Sequence, residues 1–483
     1  MFLAALEATV VGTAMPTVVA SLGGFEVYSW VFSAYLLTST VTVPIWGKVS
    51  DLYGRRPFYL LSIAVFLAGS ILSGIAQSMT QLIVFRAIQG IGAGGLLPIG
   101  MTIIAELYTP VERARIQGYF SGVWGLASIL GPLVGGFLTD QLNWRWVFFI
   151  NIPVGLVAGM IIGTRLVEGR TTVKRHRLDA FGITLFTMSM TLLMVMLVQS
   201  ERSFDFSSPT TISLLGGSLI CLFLFILMER RAEEPLLPVE LFRNRVFAGA
   251  TLSSFLAGTA MFGLLSFVPL FVQGVQGTGA TEAGSVLTPL LMGWMIFSTI
   301  GGRLLLRFTF RRVMLAGMIL MLGGFLLLDV MTPETTRLVV LRNSLILGAG
   351  MGLTMIVAMI AVQDAVPRSQ LGIATSTSQF FRAIGSAIGV AIMGTVMTQR
   401  MHQQVSESAG VESLRQFAEN PDVFLQPAVR DTLSPDMVRT FQQMLANALH
   451  SVFVVGTIIC IAALVSVFFM PSIRLTSKPP EVA

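Results

Sequence analysis

Of 483 residues, 54% are hydrophobic and only 12% are charged, about half the charge expected of a soluble domain. A soluble enzyme, a disordered adaptor and a secreted disulfide scaffold are thereby excluded, and a mean hydropathy of +0.79 indicates a polytopic α-helical membrane protein. The net charge of +6 is scattered over short loops, which predicts no nucleic-acid partner.

In chain order, apolar stretches suited to spanning run at about 1–20, 30–49, 58–77, 80–107, 116–139, 146–167, 178–199 and 209–228. Six more follow at about 246–273, 282–302, 312–330, 337–362, 371–397 and 448–470. Met1 leads directly into the first of them without a basic n-region or cleavage site, so it reads as a spanning helix and not a signal peptide; a short preceding tail is compatible with this start. Fourteen helices place both termini on one side. The loops on that side hold 21 of the 31 Lys and Arg and the opposite loops hold seven, which predicts cytoplasmic termini. The basic loop Arg170, Lys174, Arg175, His176, Arg177 then reads as a topology anchor beside anionic lipid. Cys221 and Cys460 both sit inside apolar runs and the three histidines are scattered, so neither redox nor metal chemistry is expected.

The chain repeats internally. Arg86 with Gly92-Ala93-Gly94 returns as Arg342 with Gly348-Ala349-Gly350, Pro110 as Pro367, and Gly47-Lys48 as Gly302-Arg303, each about 256 residues on. Because the matched helices hold even positions in both halves, the units share one orientation. The expected organisation is a six-helix bundle over 1–167, loops with two inserted helices over 168–245, and a second six-helix bundle over 246–470 containing an outer loop at 398–447. Residues 471–483 form a tail. Parallel halves around a midplane cavity are a transporter architecture.

Several motifs sharpen this reading. Gly47-Lys48-Val49-Ser50-Asp51-Leu52-Tyr53-Gly54-Arg55-Arg56 resembles the loop signature of the major facilitator superfamily. Arg86-Ala87-Ile88-Gln89-Gly90-Ile91-Gly92 and Gly131-Pro132-Leu133-Val134-Gly135-Gly136 are similar to two further signatures, the second associated with antiporters. Leu6-Glu7-Ala8-Thr9-Val10-Val11 and Asn143-Trp144-Arg145-Trp146 through Asn151-Ile152-Pro153 resemble the fourteen-helix drug:proton antiporter branch, although that branch mostly has Asp where Glu7 stands. The implied fold is all-α, with two parallel six-helix bundles plus two inserted helices. The C-terminal copy is degenerate, with Leu306 at the place of Asp51 and Thr309 at that of Gly54.

Each motif has a physical use. Glu7 lies about 10 Å along the first helix at 1.5 Å per residue, where an ionised carboxylate costs several kcal/mol unless partnered. It is a candidate to exchange a proton for a cationic substrate; a side chain snorkelling to the interface is the alternative. Arg86 needs an acceptor and could reach Glu7, with Gln89 one turn along the same helix. The resemblance implies proton transfer for that arginine. Asp51 is placed to face the N-terminus of the thirteenth helix, and Arg55 or Arg56 to reach Glu106, forming a gate with Gly47 and Gly54 on the cytoplasmic side. Gly131, Pro132, Gly135 and Gly136 allow a bend and a tight helix crossing. Trp124, Trp294, Gln379 and Arg382 are candidates to line a cavity for flat lipophilic compounds.

No Gly-Lys-Ser/Thr phosphate loop occurs, so no nucleotide or other cofactor is expected and an ion gradient must drive transport. The expected function is proton-coupled efflux of lipophilic, cationic, drug-like compounds across the cytoplasmic membrane, with protons and lipids as the other partners. A lipid or glycolipid exporter on the same scaffold would need a wider cleft beside the inserted helices. A non-transporting membrane sensor would show no proton-linked flux.

Overall fold

The computed structural model describes residues 2–23, 27, 29–166, 179–200, 208–232, 234–278, 285–407 and 434–475. The basic loop at 170–177, part of the expected outer loop and the end of the tail lie outside them. Among the described residues there is no strand. A backbone in hydrocarbon must satisfy its own polar groups, and helices do so without a neighbour.

The first bundle comprises α1 (Phe2–Leu22), α2 (Ser29–Tyr53), α3 (Arg55–Gly74), α4 (Met79–Leu107), α5 (Pro110–Gln141), a short α6 (Trp146–Phe149) and α7 (Asn151–Arg165). The inserted pair is α8 (Ala180–Ser200) and α9 (Pro209–Glu229). The second bundle has α10 (Arg245–Leu270), α11 (Leu287–Leu304), α12 (Phe310–Asp329), α13 (Arg337–Asp364), α14 (Leu371–Glu407) and α15 (Pro435–Phe468). Local chemistry sets the starts. Ser78 caps α4 by accepting from the Gln81 N–H, and Thr109 with Glu112 forms a reciprocal capping box on α5, where Pro110 needs no donor.

Each of the fourteen apolar stretches overlaps one of these helices, with α6 and α7 sharing one. Among the described residues, nine helices are long and apolar enough to cross a membrane by length and composition. The remaining five, α1, α2, α5, α10 and α11, fall outside that set, α2 being rich in Ser and Thr and α5 carrying charge in its first turns. The full count of fourteen spans therefore stays an expectation.

The bundles are built on glycines that let backbones touch. Gly90 and Gly94 bring α4 against Tyr35 and Ser39 of α2, while Gly92 brings it against Phe66 of α3. The second half repeats this pattern: Gly348 and Gly352 bring α13 against Leu290 and Trp294 of α11, and Gly350 against Met321 of α12. This packing revises the register of the repeat. Tyr35, Ser39 and Phe66 match residues 255 positions on, whereas Gly90, Gly92 and Gly94 match residues 258 positions on. The packing counterpart of Arg86 is thus Ser344, two residues beyond the Arg342 that the sequence pairs with it. Arg342 turns to its neighbour instead, donating to Asn343 Oδ1 at 3.1 and 3.2 Å.

The inserted helices cover the seam between the bundles. Phe186 of α8 packs between Phe225 of α9 and Phe380 of α14, in one cluster with Val41 of α2 and Ile384 of α14.

Overpacking of a tight interface costs roughly 1–3 kcal/mol. Gly90→Val, whose new carbon meets Thr38 Oγ1 and the Tyr35 carbonyl, is expected to lower the melting temperature in detergent by several degrees. Gly136→Ala, which meets nothing within 4 Å, should leave it unchanged or raise it. Scanning fluorimetry of the two variants checks this pair of outcomes.

Candidate functional site

Two polar sites stand out in the N-terminal half, at opposite ends of its helices. The first is buried. Glu7 and Arg86 are each only 2% exposed and form an ion pair through Arg86 Nη1 and Glu7 Oε1. The same Nη1 donates to Gln89 Oε1 at 2.8 Å, and Arg86 Nε donates to the Val31 carbonyl at 3.3 Å. The guanidinium lies over the Tyr35 ring, 4.2 Å from its centroid. Glu7 Oε2 accepts from Asn151 Nδ2 at 2.6 Å; that nitrogen also reaches Ser70 Oγ at 3.0 Å, and Ser70 donates to the Phe148 carbonyl at 2.8 Å. Five segments thus converge on one carboxylate. A lone charge at the centre of a spanning helix costs about 2.5–3.5 kcal/mol on insertion scales, and this set of partners offsets that cost.

Glu7, Arg86 and Gln89 therefore meet, in the half of α4 that begins at Met79. Arg86 lies seven residues after Met79, Ser70 four before Gly74 and Asn151 five after Trp146. At 1.5 Å per residue the carboxylate sits roughly 6–10 Å below the helix ends remote from Gly54.

The second site lies at the Gly54 end of α2 and α3. Asp51, at the foot of α2, accepts from the backbone N–H groups of Gly372 at 3.0 Å and Ile373 at 2.6 Å, the first residues of α14. An anion there also meets the positive end of the helix dipole. Arg55 pairs with Asp51 and with Glu106 of α4 at 3.0 Å, and donates to Ser50 Oγ at 2.9 Å. Gly47 lies against Ser376 and the Gly372 carbonyl, where any side chain would collide. Gly54 holds φ +104°, in the left-handed region, so α2 can stop and α3 start without an intervening loop. Arg56 does not join this group; it donates to the Gly163 carbonyl of α7.

Other candidates separate. Gly135 brings α5 onto Val10 and Thr13 of α1, Gly131 is buried, and Gly136 faces open space. Gln379 accepts from Arg382 Nε at 3.0 Å and reaches Met101 Sδ of α4 at 3.6 Å, so this pair touches both bundles. Trp294 packs on the core of the second bundle. The side chains of Trp124 and Pro132 lie outside the described residues.

Several participants escape sequence reasoning. Asn151 falls inside a quoted motif but has no assigned role there, and Ser70 carries no signal at all. Arg113 of α5, also buried, donates to Gln363 of α13 at 2.7 Å, and Gln363 donates to Thr375 of α14 at 3.2 Å, a second tie between the halves at the Asp51 end. Lys48 pairs with Glu234, beyond α9, at 2.6 Å, fastening the inserted pair to α2.

Glycine-packed helical halves thus hold a buried ion pair and are bridged by a contact at one end, and the family and relatives that the chain matches make it a transporter and not an enzyme. The chain belongs to the Major Facilitator Superfamily, whose family model matches residues 1–390. It is 38% identical to the "Multidrug transporter protein MdtP" of Bacillus subtilis (strain 168), covering 100% of this chain and 93% of that one. To "Multidrug resistance protein 3" of the same organism it is 36% identical, covering 98% and 94%. Among solved structures it resembles the proton:xylose symporter XylE at a TM-score of 0.61 and 13% identity, covering 98% of this chain and 95% of that one. The human organic anion transporter MFSD10 gives a TM-score of 0.59 at 16% identity, covering 95% and 96%. At those identities the two structures establish the fold alone.

Charge-assisted hydrogen bonds are worth about 1.5–3 kcal/mol each, so removing Asp51 should shift the open–closed balance at the Gly54 end at least tenfold. With Cys221 and Cys460 replaced, a cysteine introduced at Ser376, fully buried here, is expected to react several-fold faster with a hydrophilic maleimide in the Asp51→Ala background than with Asp51 intact. Equal rates would show that Asp51 does not hold this end shut.

Proposed function

We propose that this protein is a proton-coupled efflux antiporter of the cytoplasmic membrane that exports lipophilic, cationic, drug-like compounds by alternating access. In this reading, fourteen spans form bundles over 1–167 and 246–470 around the insertion at 168–245, both termini are cytoplasmic, and the Asp51 contacts are the closed cytoplasmic gate. The names of its curated relatives, multidrug and efflux transporters, support export of drug-like compounds. Coupling to protons is argued from the site.

One observation carries that argument: a carboxylate 2% exposed, paired with one guanidinium and held by one neutral hydrogen-bond donor, the Asn151 amide. Ionised, Glu7 makes the Glu7–Arg86 pair neutral overall. Protonated, it leaves the charge of Arg86 uncompensated in a low-dielectric interior, which repels a cationic substrate nearby. Proton and cation therefore exclude each other through one group, and alternate exposure of that group to the two sides converts exclusion into antiport. Arg86 stays in place on protonation because Gln89, the Val31 carbonyl and the Tyr35 ring still hold it. Exchange of one proton for one singly charged cation moves no net charge, so the pH difference alone drives it, about 1.4 kcal/mol or tenfold accumulation per pH unit.

In proteoliposomes with an imposed pH gradient, the unaltered chain is expected to move a lipophilic dye cation against its gradient. Glu7→Gln, which keeps the shape and removes the exchangeable proton, should lose uphill transport by tenfold or more while retaining downhill flux. Full uphill transport by Glu7→Gln would overturn the assignment of the carrier. Absence of proton-linked flux in the unaltered chain across a panel of such cations would overturn the antiporter reading itself.

A further inference from the structure

The hydrogen bonds around Glu7 leave one buried acceptor spare, and its position is informative. Glu7 Oε2, as a carboxylate oxygen, only accepts, so the Asn151 amide must present Nδ2 to it, and the same nitrogen faces Ser70 Oγ. The amide carbonyl Oδ1 then points away, buried and without a partner, on a residue that is 1% exposed. A lone unmet acceptor on a fully buried side chain calls for a reason. A proton on Oε2 supplies one, because it turns that oxygen from acceptor into donor, and an Nδ2 facing an O–H would set donor against donor.

We propose that Asn151 is the positioning residue that registers the protonation state of Glu7 by turning its amide through half a rotation about χ2. This rests on the reading of Glu7 as the proton carrier. With Glu7 ionised, Nδ2 donates to Oε2. When a proton binds Oε2, the new O–H donates to Oδ1, which the rotation has brought into the place of Nδ2, and no other bond is made or broken covalently. Ser70 suits both states, since its hydroxyl accepts from Nδ2 in the first and is free to turn from the Phe148 carbonyl to donate to Oδ1 in the second. Ser73, one turn further on α3, has a second buried hydroxyl without a partner. The titratable and charged groups facing Glu7 are Arg86 from α4 and the Tyr35 phenol from α2. From α3, α5 and α7 come Ser70, the Gly135 crossing and Asn151.

Asn151 thereby bonds the carboxyl group in both states, but the bond to the anion is charge-assisted and the stronger of the two. Its loss should make Glu7 hold its proton more tightly. Among the described residues the amide is the hydrogen bond that joins Glu7 to α7, and through Ser70 to the Phe148 carbonyl of α6, so its rotation loosens or tightens that corner of the bundle as the proton comes and goes.

The test is an infrared titration of the full-length protein in lipid, reading the carbonyl stretch of protonated Glu7 against pH, with and without asparagine carrying a 13C side-chain carbonyl. A proton-dependent shift of an asparagine carbonyl to lower frequency, titrating in step with the carboxyl band, is the expected result. Asn151→Leu should abolish the asparagine shift and raise the carboxyl midpoint by about threefold to tenfold in proton affinity, half to one pH unit. A carboxyl band that titrates with no asparagine change, or an unmoved midpoint in Asn151→Leu, would overturn the amide switch while leaving Glu7 as carrier. A carboxyl band that persists unchanged in Glu7→Gln would instead overturn the carrier. The labelled unaltered protein decides the matter even where Asn151→Leu does not fold.

Discussion

A charged carboxylate inside a hydrocarbon-embedded bundle has to be matched, and most of the N-terminal architecture serves that requirement. Glu7 draws Arg86 from α4, Arg86 draws the Val31 carbonyl and the Tyr35 ring from α2, and Asn151 and Ser70 close the shell from α7 and α3. These partners reach the carboxylate because glycines allow the helices to approach: Gly90 and Gly94 against α2, Gly92 against α3, and Gly135 against α1. Close packing without bulky side chains and a polar cluster at depth are therefore two aspects of one solution. A loosened bundle would leave the ions unpaired, so the pair depends on the packing.

The two halves share a frame and divide the labour. The glycine contacts of α4 with α2 and α3 recur in α13 with α11 and α12, yet the chemistry does not recur. Ser344 stands where packing places the counterpart of Arg86, and Leu306 and Thr309 stand in for Asp51 and Gly54, Thr309 accepting from Arg312 N–H at 3.4 Å as a cap and from Ser472 Oγ at 3.2 Å. At the Gly54 end, Asp51 of the first half accepts from backbone donors at the start of α14 in the second, so these bonds join the halves. Arg113 and Gln363 add a neutral-acceptor tie beside them, and Lys48 with Glu234 attaches the inserted helices to the same strand of contacts.

What the sequence discloses follows from how unusual a residue is in its setting. Glu7 and Arg86 are legible because charge in an apolar run is rare, and Gln89 because it stands one helical turn from Arg86. The loop from Gly47 to Arg56 is legible because its spacing is distinctive, and Asp51 and Arg55 do meet α14 and Glu106. Ser70, Asn151 and Gln363 are not legible: neutral polar residues are common in spanning helices, and nothing local links positions 70, 86 and 151. The register of the repeat slips because Gly92-Ala93-Gly94 and Gly348-Ala349-Gly350 match by spelling, while contacts follow the spacing of four between Gly90 and Gly94 and between Gly348 and Gly352.

The central claim is that a proton and a cationic substrate compete for the neighbourhood of Glu7, and equilibrium binding tests it without any need for flux. The affinity of the purified protein for a permanently charged lipophilic cation should be measured across pH 5 to 9, for the unaltered chain and for Glu7→Gln. Competition predicts that affinity falls about tenfold per pH unit on the acid side of a single midpoint, and that Glu7→Gln removes this slope and binds with one affinity at every pH. An identical slope in Glu7→Gln, or a flat profile in the unaltered chain, would contradict it.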